Sequence, residues 1–215
     1  MAAAPLLTDG PAGAPTILLG HGAGVAMDAP WMAQMTAALV VVGFRVVRYE
    51  FTFMAARRKG SRRPPPRAEA LLDELRATVD AVPDRPLILG GKSLGGRAAT
   101  LVADDIVATG VASGAVCFGY PFHPPKRPET LRTAHLETLS APCLICQGTR
   151  DPFGSRDEVA GYRLSPAVTL HWLEDGDHDL APRKRSGHTL DAHMASAAER
   201  TAAWAATLRR GGEAP

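Results

Sequence analysis

The sequence predicts an α/β fold, in which a mostly parallel β-sheet carries helices on both faces. Short apolar segments alternate with longer segments of helical periodicity along the chain. The content of hydrophobic residues is 46%, without any apolar run near 18 residues. Each polar motif directly follows a predicted strand, where the site of such a sheet lies. The 215 residues are predicted to form a single domain, 1–215.

Each element is predicted from a local pattern. Residues 1–13 are rich in Ala, Pro and Gly and are predicted to form a loose tail. Strands are predicted where apolar, β-branched and aromatic residues cluster, at 16–20, 44–51, 86–89, 114–119, 142–147 and 168–173. Helices are predicted from apolar spacing and start signals, at 30–42, 71–82, 94–109, 157–162 and 190–208. The basic, proline-rich residues 54–67 are predicted to form a loop.

The segment Gly91-Lys92-Ser93-Leu94-Gly95 joins a predicted strand to a predicted helix and fits G-x-S-x-G, the nucleophile elbow. The serine of such a turn takes strained backbone angles, and side chains at 91 and 95 would make strand and helix collide. The Ser93 hydroxyl is then exposed at a helix N-terminus, whose dipole favours negative charge. A plain glycine-rich turn is the alternative. A phosphate-binding loop is excluded, because that pattern requires glycine where Pro86 stands.

A serine hydroxyl needs a general base within hydrogen-bond reach and a third group that orients the base. On this kind of fold the acid and the histidine follow the serine, in that order. Asp151 and His178 directly follow the last two predicted strands. They are therefore predicted to be the acid and the base of Ser93, and the other six histidines are less favoured by position.

The intermediate of acyl transfer carries an oxyanion, which needs preorganised backbone donors. The N–H of Leu94 follows the nucleophile, and the loop His21-Gly22-Ala23-Gly24 follows the first predicted strand of the sheet. Its glycines permit unusual angles that leave the N–H of Ala23 free to point into the site. Ala23 and Leu94 are therefore predicted to form the oxyanion hole, with a plain glycine-rich turn as the alternative for the loop.

Four motifs occur in the order GHGAG, GGKSLGGR, GTRDPFG and GDHDL. With them, residues 14–209 resemble the small α/β-hydrolase proteins of the testis-expressed and KANSL-type family, which are relatives of dienelactone hydrolases. The resemblance implies the α/β-hydrolase fold and a triad of Ser93, Asp151 and His178. Dienelactone hydrolases use cysteine as the nucleophile, so Ser93 does not favour lactone hydrolysis.

Hydrolases with caps commonly insert them after the strand that follows the elbow helix. Here only residues 122–141, rich in proline and charge, occupy that connection. They leave room for a loop or one short helix, so no cap domain is expected. The site is predicted to be open, to prefer short soluble acyl groups, and to be lined partly by Tyr120, Phe122 and Phe153.

Composition restricts the partners. The net charge is only +2, and no nucleic-acid-binding module is recognised. Cys143 and Cys146 imitate a C-x-x-C pair, but residues three apart on a strand face opposite sides, so both are predicted to be buried free thiols, as is Cys117. No metal and no cofactor are expected. The first residues lack a basic region before an apolar stretch, so we expect neither a signal peptide nor a membrane anchor, and a cytoplasmic location.

Six cations cluster in residues 57–67, namely Arg57, Arg58, Lys59, Arg62, Arg63 and Arg67. A loop that leaves the carboxyl end of a strand lies on the rim that carries Ser93. Two interpretations stay open: a solvated loop, or a rim that attracts an anionic small-molecule substrate.

Two functions are compatible with these features. The first is a serine hydrolase that acts on a carboxylic ester, a thioester or a similarly activated acyl group. The second is a non-catalytic binding or scaffold protein that retains the α/β-hydrolase fold. The complete set of nucleophile, base, acid and oxyanion candidates favours the first.

Overall fold

The computed structural model describes residues 6–210, which are built around a seven-stranded sheet. The strands are β1 (Leu6–Asp9), β2 (Thr16–Gly20), β3 (Arg45–Tyr49), β4 (Leu87–Lys92), β5 (Ala112–Phe118), β6 (Cys143–Gly148) and β7 (Val168–Leu173). Their order in the sheet is β1-β3-β2-β4-β5-β6-β7. Every neighbouring pair is parallel except β1 and β3, which are antiparallel. The predicted mostly parallel sheet is confirmed.

Helices cover both faces of the sheet. They are α1 (Pro30–Val41), α2 (Thr52–Arg58), α3 (Leu72–Ala81), α4 (Leu94–Ala108), α5 (Arg156–Val159) and α6 (Leu190–Arg210), with three short 3-10 turns at Ala68–Leu71, Ala134–Glu137 and Lys184–Ser186. One core lies between the sheet and α3 with α4, and the other between the sheet and α1 with α6. None of the helices within residues 6–210 is both long enough and apolar enough to cross a membrane.

The predicted loose tail is wrong for part of its length, because Leu6–Asp9 form an edge strand. Their backbone pairs with β3, and Arg48 donates to the Asp9 carboxylate at 2.8 Å. Four residues are too few to show a periodic pattern, and Gly10, with φ of 88°, then turns the chain away. The partner strand therefore supplies the order that the local sequence does not.

The predicted loop at 54–67 is wrong at its start, because Thr52–Arg58 form a helix. Residues 52–63 contain no proline, and Arg57 and Arg58 lie in the last turn, where cations interact favourably with the helix dipole. The loop proper is therefore shorter than the sequence suggests.

The three cysteines are buried free thiols, as predicted. Cys143 packs into the core beneath α4, and Cys146 packs into the core on the opposite face. Burial raises the pKa of both thiols to about 12. They are therefore inert packing residues at neutral pH.

The connection from β5 to β6 contains only the 3-10 turn Ala134–Glu137. No cap domain is inserted there, as predicted. The carboxyl end of the sheet, where Ser93 lies, therefore has no helical cover from this connection.

Candidate active site

Ser93 lies at the sharp turn from β4 into α4, with φ of 50° and ψ of −109°. Such angles are costly for a residue with a side chain and mark a strained position. A Cβ on Gly91 would overlap the backbone of Gly95 and Gly96. A Cβ on Gly95 would lie 2.6 Å from the carbonyl of Gly20, at the end of β2. Gly95 is therefore needed for packing against the neighbouring strand, rather than against β4 as the sequence suggested.

The structure brings together the three residues predicted to form the triad. The Oγ of Ser93 lies 2.8 Å from Nε2 of His178, and Nδ1 of His178 lies 2.8 Å from Oδ2 of Asp151. Because an ionised carboxylate can only accept, the proton of the imidazole belongs on Nδ1. Nε2 is then free to accept the Ser93 hydroxyl proton.

Asp151 is completely buried and is held by donors from its own loop and from β6. Its Oδ1 accepts the backbone N–H of Phe153 at 2.8 Å, and its Oδ2 accepts Nε2 of Gln147 at 2.8 Å. Gln147 also accepts the N–H of Tyr120 at 2.6 Å. Its amide therefore joins the end of β5 to the acid loop and fixes the direction of the carboxylate.

Lys92, the residue before the nucleophile, holds the loop that carries His178. Its ammonium group donates to the carbonyl of His178 at 3.1 Å and pairs with Oδ1 of Asp179 at 2.6 Å. It also lies 4.6 Å from the ring centroid of Trp31, whose indole N–H donates to the carbonyl of Asp179. The Lys92 side chain is only 4% exposed. Base and nucleophile are thus tied together through consecutive residues of the elbow.

Of the three aromatic residues predicted to line the site, only Phe153 reaches it. Its ring stacks on the His178 imidazole with centroids 4.0 Å apart. The prediction is wrong for Tyr120 and Phe122, which are 0% exposed. Gly119, with φ of 71°, turns the chain after β5 so that Tyr120 and Phe122 enter the core beneath α4.

The loop after β2 is braced by His21. Its Nε2 accepts the N–H of Phe51 at 3.0 Å, so its Nδ1 carries the proton and donates to the carbonyl of Gly22 at 2.7 Å. Burial lowers the pKa of His21, which keeps the ring neutral. Within residues 6–210, the N–H groups of Ala23 and Leu94 have no hydrogen-bond partner. The structure therefore leaves both N–H groups unpaired among these residues, and their role in an oxyanion hole stays a prediction.

Residues 13–206 match the family model of the alpha/beta hydrolase domain. The chain belongs to this family. Among solved structures, dienelactone hydrolase from Anabaena variabilis is 20% identical, with a TM-score of 0.68 over 94% of this chain and 90% of that one. A lidless serine hydrolase from Xanthomonas campestris is 18% identical, with a TM-score of 0.65 over 91% and 88%. The esterase domain of a Rhodothermus marinus protein is 19% identical, with a TM-score of 0.63 over 92% and 90%.

At these identities the solved structures share the fold, and the family match carries the assignment of this α/β-hydrolase to the hydrolytic enzymes. The match does not extend to the narrower testis-expressed and KANSL-type group.

The basic segment of this α/β-hydrolase is only partly available to a ligand. Arg58 binds the carboxylates of Glu50 and Asp28, so its charge is compensated. Arg57 donates to the carbonyl of Ala23 at 2.7 Å and so braces the loop after β2. Both residues therefore have structural partners that the sequence pattern did not indicate.

Within the described part of the chain, no group of three or more His, Cys, Asp or Glu side chains is arranged to hold a metal ion. Two residues of the site were missed by sequence reasoning, Lys92 and Gln147. A lysine and a glutamine within otherwise apolar strand segments were the available signals.

Proposed function

We propose that this α/β-hydrolase is a serine hydrolase that cleaves a carboxylic ester or thioester by nucleophilic acyl transfer. Ser93 is the nucleophile, His178 the general base and Asp151 the orienting acid. The proposal rests on one observation, the hydrogen-bonded series from Ser93 through His178 to buried Asp151, with both distances at 2.8 Å.

In the first step, Nε2 of His178 takes the hydroxyl proton while the Ser93 oxygen attacks the acyl carbon. The carbonyl electrons move onto oxygen, and the N–H groups of Ala23 and Leu94 stabilise the resulting charge. Protonated His178 then gives its proton to the departing alcohol or thiol, and an acyl-enzyme remains. Water then attacks the acyl carbon and loses a proton to His178. The bond between the acyl carbon and the Ser93 oxygen breaks, His178 returns the proton to Ser93, and the carboxylic acid is released.

The substrate is proposed to be short and soluble, because among the described residues no cap domain is inserted between β5 and β6, and Phe153 offers an aromatic surface beside the base. The narrower relationship to the testis-expressed and KANSL-type proteins is proposed from the four sequence motifs alone.

A fluorophosphonate probe tests the proposal, because a serine activated by a base displaces fluoride from the probe and becomes covalently labelled. Labelling of the purified protein is expected, and Ser93→Ala is expected to abolish it and to lower ester turnover by up to about 10⁶-fold. Asp151→Asn is expected to lose about 10⁴-fold.

Ser196 provides a matched control, because its Oγ lies 3.0 Å from Nε2 of His171 in a second serine–histidine pair. Ser196→Ala should leave labelling intact. A wild-type protein that is not labelled would favour a non-catalytic binding protein that retains the fold.

A further inference from the structure

Arginine side chains that the acyl-transfer chemistry does not use lie beside the elbow helix α4. They are Arg97 on the helix itself, Arg132 on the loop between β5 and β6, and the exposed Arg67 before the 3-10 turn Ala68–Leu71. Two carboxylates accompany them, Glu69 and Asp104. None of these arginines except Arg67 belongs to the basic cluster at 57–67.

Arg97 shares a helix face with the nucleophile. In the first turn of α4 the partly exposed residues are Ser93, Leu94 and Arg97, whereas Gly95 and Gly96 are buried against the sheet. Residues four apart lie one above the other on a helix, separated by about 6 Å along its axis. Helical side chains also lean toward the N-terminus, which here is the end that carries Ser93.

The Arg97 guanidinium group pairs with a carboxylate, but not all of its N–H donors have a partner among the described residues. Its side chain is 12% exposed and donates to Glu69 at 2.5 Å. Its Nε atom is buried and has no hydrogen-bond partner within residues 6–210. A buried guanidinium nitrogen without an acceptor costs free energy, so an additional acceptor at this position would be stabilising.

Arg132 is positioned by its backbone. Its N–H donates to the carbonyl of Phe122 at 2.7 Å, and its carbonyl accepts the hydroxyl of Tyr120 at 2.8 Å. No carboxylate within the described residues lies within 4 Å of its guanidinium group. Burial, together with the nearby charge of Arg97, lowers the pKa of Arg132. The positive charges of Arg97 and Arg132 therefore interact unfavourably.

The local charge stays positive at neutral pH. His135, whose Nε2 lies 3.0 Å from Oγ1 of Thr100 on α4, is neutral, because burial and the charge of Arg97 lower its pKa to about 4. Glu69 is ionised, because its hydrogen bond with Arg97 lowers its pKa to about 2. Asp104, whose charge also acts on His135, accepts the backbone N–H groups of Ser140 and Ala141. Glu69 is therefore the carboxylate that pairs with a guanidinium group here, and a bound anion would offset the remaining repulsion.

We propose that Arg97 and Arg132 form an anion subsite next to Ser93, so that the substrate is an ester or thioester carrying an oxyanion group, a carboxylate or a phosphate. The planar guanidinium group suits both anions, because it donates two parallel hydrogen bonds. This inference rests on the proposed function. It assigns substrate charge to residues of the elbow helix and the β5–β6 loop rather than to the basic segment.

The subsite is tested by comparing p-nitrophenyl hemisuccinate with its neutral methyl ester. The wild-type enzyme is expected to have the higher kcat/KM for the hemisuccinate, and added salt should reduce the difference. Arg132→Met should lower the ratio of the two kcat/KM values about 10- to 100-fold, the range for a hydrogen bond to a charged group. Glu69→Gln should raise the ratio, because it frees Arg97 from its competing carboxylate.

Arg62→Met is the matched control, because Arg62 is an exposed cation of the basic segment. It should leave the ratio within about twofold of wild type, as expected for a distant, screened charge. An equal response to Arg62→Met and Arg132→Met, or a wild-type ratio near one, would overturn the subsite. Arg132→Lys, which keeps the charge and loses the planar fork, should give an intermediate ratio.

A binding experiment separates this inference from the proposed chemistry. Calorimetric titration of Ser93→Ala with monomethyl succinate and with inorganic phosphate needs no turnover and shows which anion is preferred. Adding Arg132→Met should weaken binding of the preferred anion about tenfold or more. If the protein hydrolyses neither ester but Arg132→Met weakens anion binding, the serine hydrolase function is refuted and the subsite is supported. If Arg132→Met leaves anion binding unchanged, the subsite is refuted.

Discussion

Replacing Lys92 by Met removes the cation that ties the elbow to the loop of the general base, while keeping an unbranched side chain of similar length. The ammonium group loses its bond to the His178 carbonyl, its pairing with Asp179 and its place over the Trp31 ring. The charged hydrogen bond contributes about 1.5–3 kcal/mol and the cation–π contact about 0.5–2 kcal/mol. The ion pair adds little, because the Asp179 side chain is 62% exposed.

The free energy of unfolding should therefore fall by about 2–5 kcal/mol. Catalysis should fall further than this stability loss explains, because a displacement of the base by about 1 Å costs on the order of 10² in rate. Urea unfolding and kcat/KM for a p-nitrophenyl ester measure the two effects on the same preparation. Lys184→Met, which removes an exposed lysine, is the matched control for both.

The pH profile distinguishes a positioning role from simple loss of stability. The charged groups around His178 are Asp151, Asp179 and Lys92. Although burial opposes it, the charge of Lys92 lowers the pKa of Asp179, in keeping with the ion pair between the two side chains. Without Lys92, the carboxylate of Asp179 is uncompensated and favours the imidazolium form of His178.

The base must be neutral to accept the Ser93 proton. Loss of the neutral base therefore moves the acidic limb of the kcat/KM profile to higher pH in Lys92→Met. Adding Asp179→Asn to that variant removes the carboxylate and should return the limb toward its wild-type position. Wild-type kcat/KM together with an unchanged acidic limb in Lys92→Met would refute the coupling of Lys92 to the base.

Three further predictions concern packing and titration. Gly96→Ala should lower the free energy of unfolding, measured in urea, by about 1–3 kcal/mol, because its Cβ would overlap the Cys117 thiol. The control Gly161→Ala, whose Cβ would make only an ordinary van der Waals contact, should change it by less than about 0.5 kcal/mol. Gln147→Leu should lower the free energy of unfolding by about 1–3 kcal/mol, because it leaves the Tyr120 N–H unpaired. It should also lower kcat, because Asp151 loses its orienting amide, and a wild-type kcat in this variant would contradict that role. The folded pKa of His135 is about 4, below its ordinary 6.5, so the unfolded chain binds the proton first and stability present above pH 6.5 is lost as pH falls toward 4. This loss of stability is on the order of 1–2 kcal/mol, and His135→Gln should reduce it. An identical pH dependence of the free energy of unfolding in wild type and His135→Gln would exclude His135 as its source.

Local chemistry determined the strands, the main helices and the elbow. Thr16–Gly20 and Val168–Leu173 have the predicted bounds, because a buried strand needs only a short apolar run between turn residues. Gly91 marks the elbow, because a side chain there would overlap the next turn of the same chain segment. The fold class follows from these local features, since alternating strands and helices have few ways to bury their apolar faces.

Tertiary structure alone decided which way side chains point and which charges they meet. Where Tyr120 turns into the core, Gln147, 27 residues away, accepts its N–H, and Lys92 binds the loop of His178, 86 residues away. The sequence pattern indicated no partner for Arg58, whereas the fold places the carboxylates of Asp28 and Glu50 against its guanidinium group. Periodicity assigns a residue to a face of its own element, whereas the partner on that face depends on how distant segments pack.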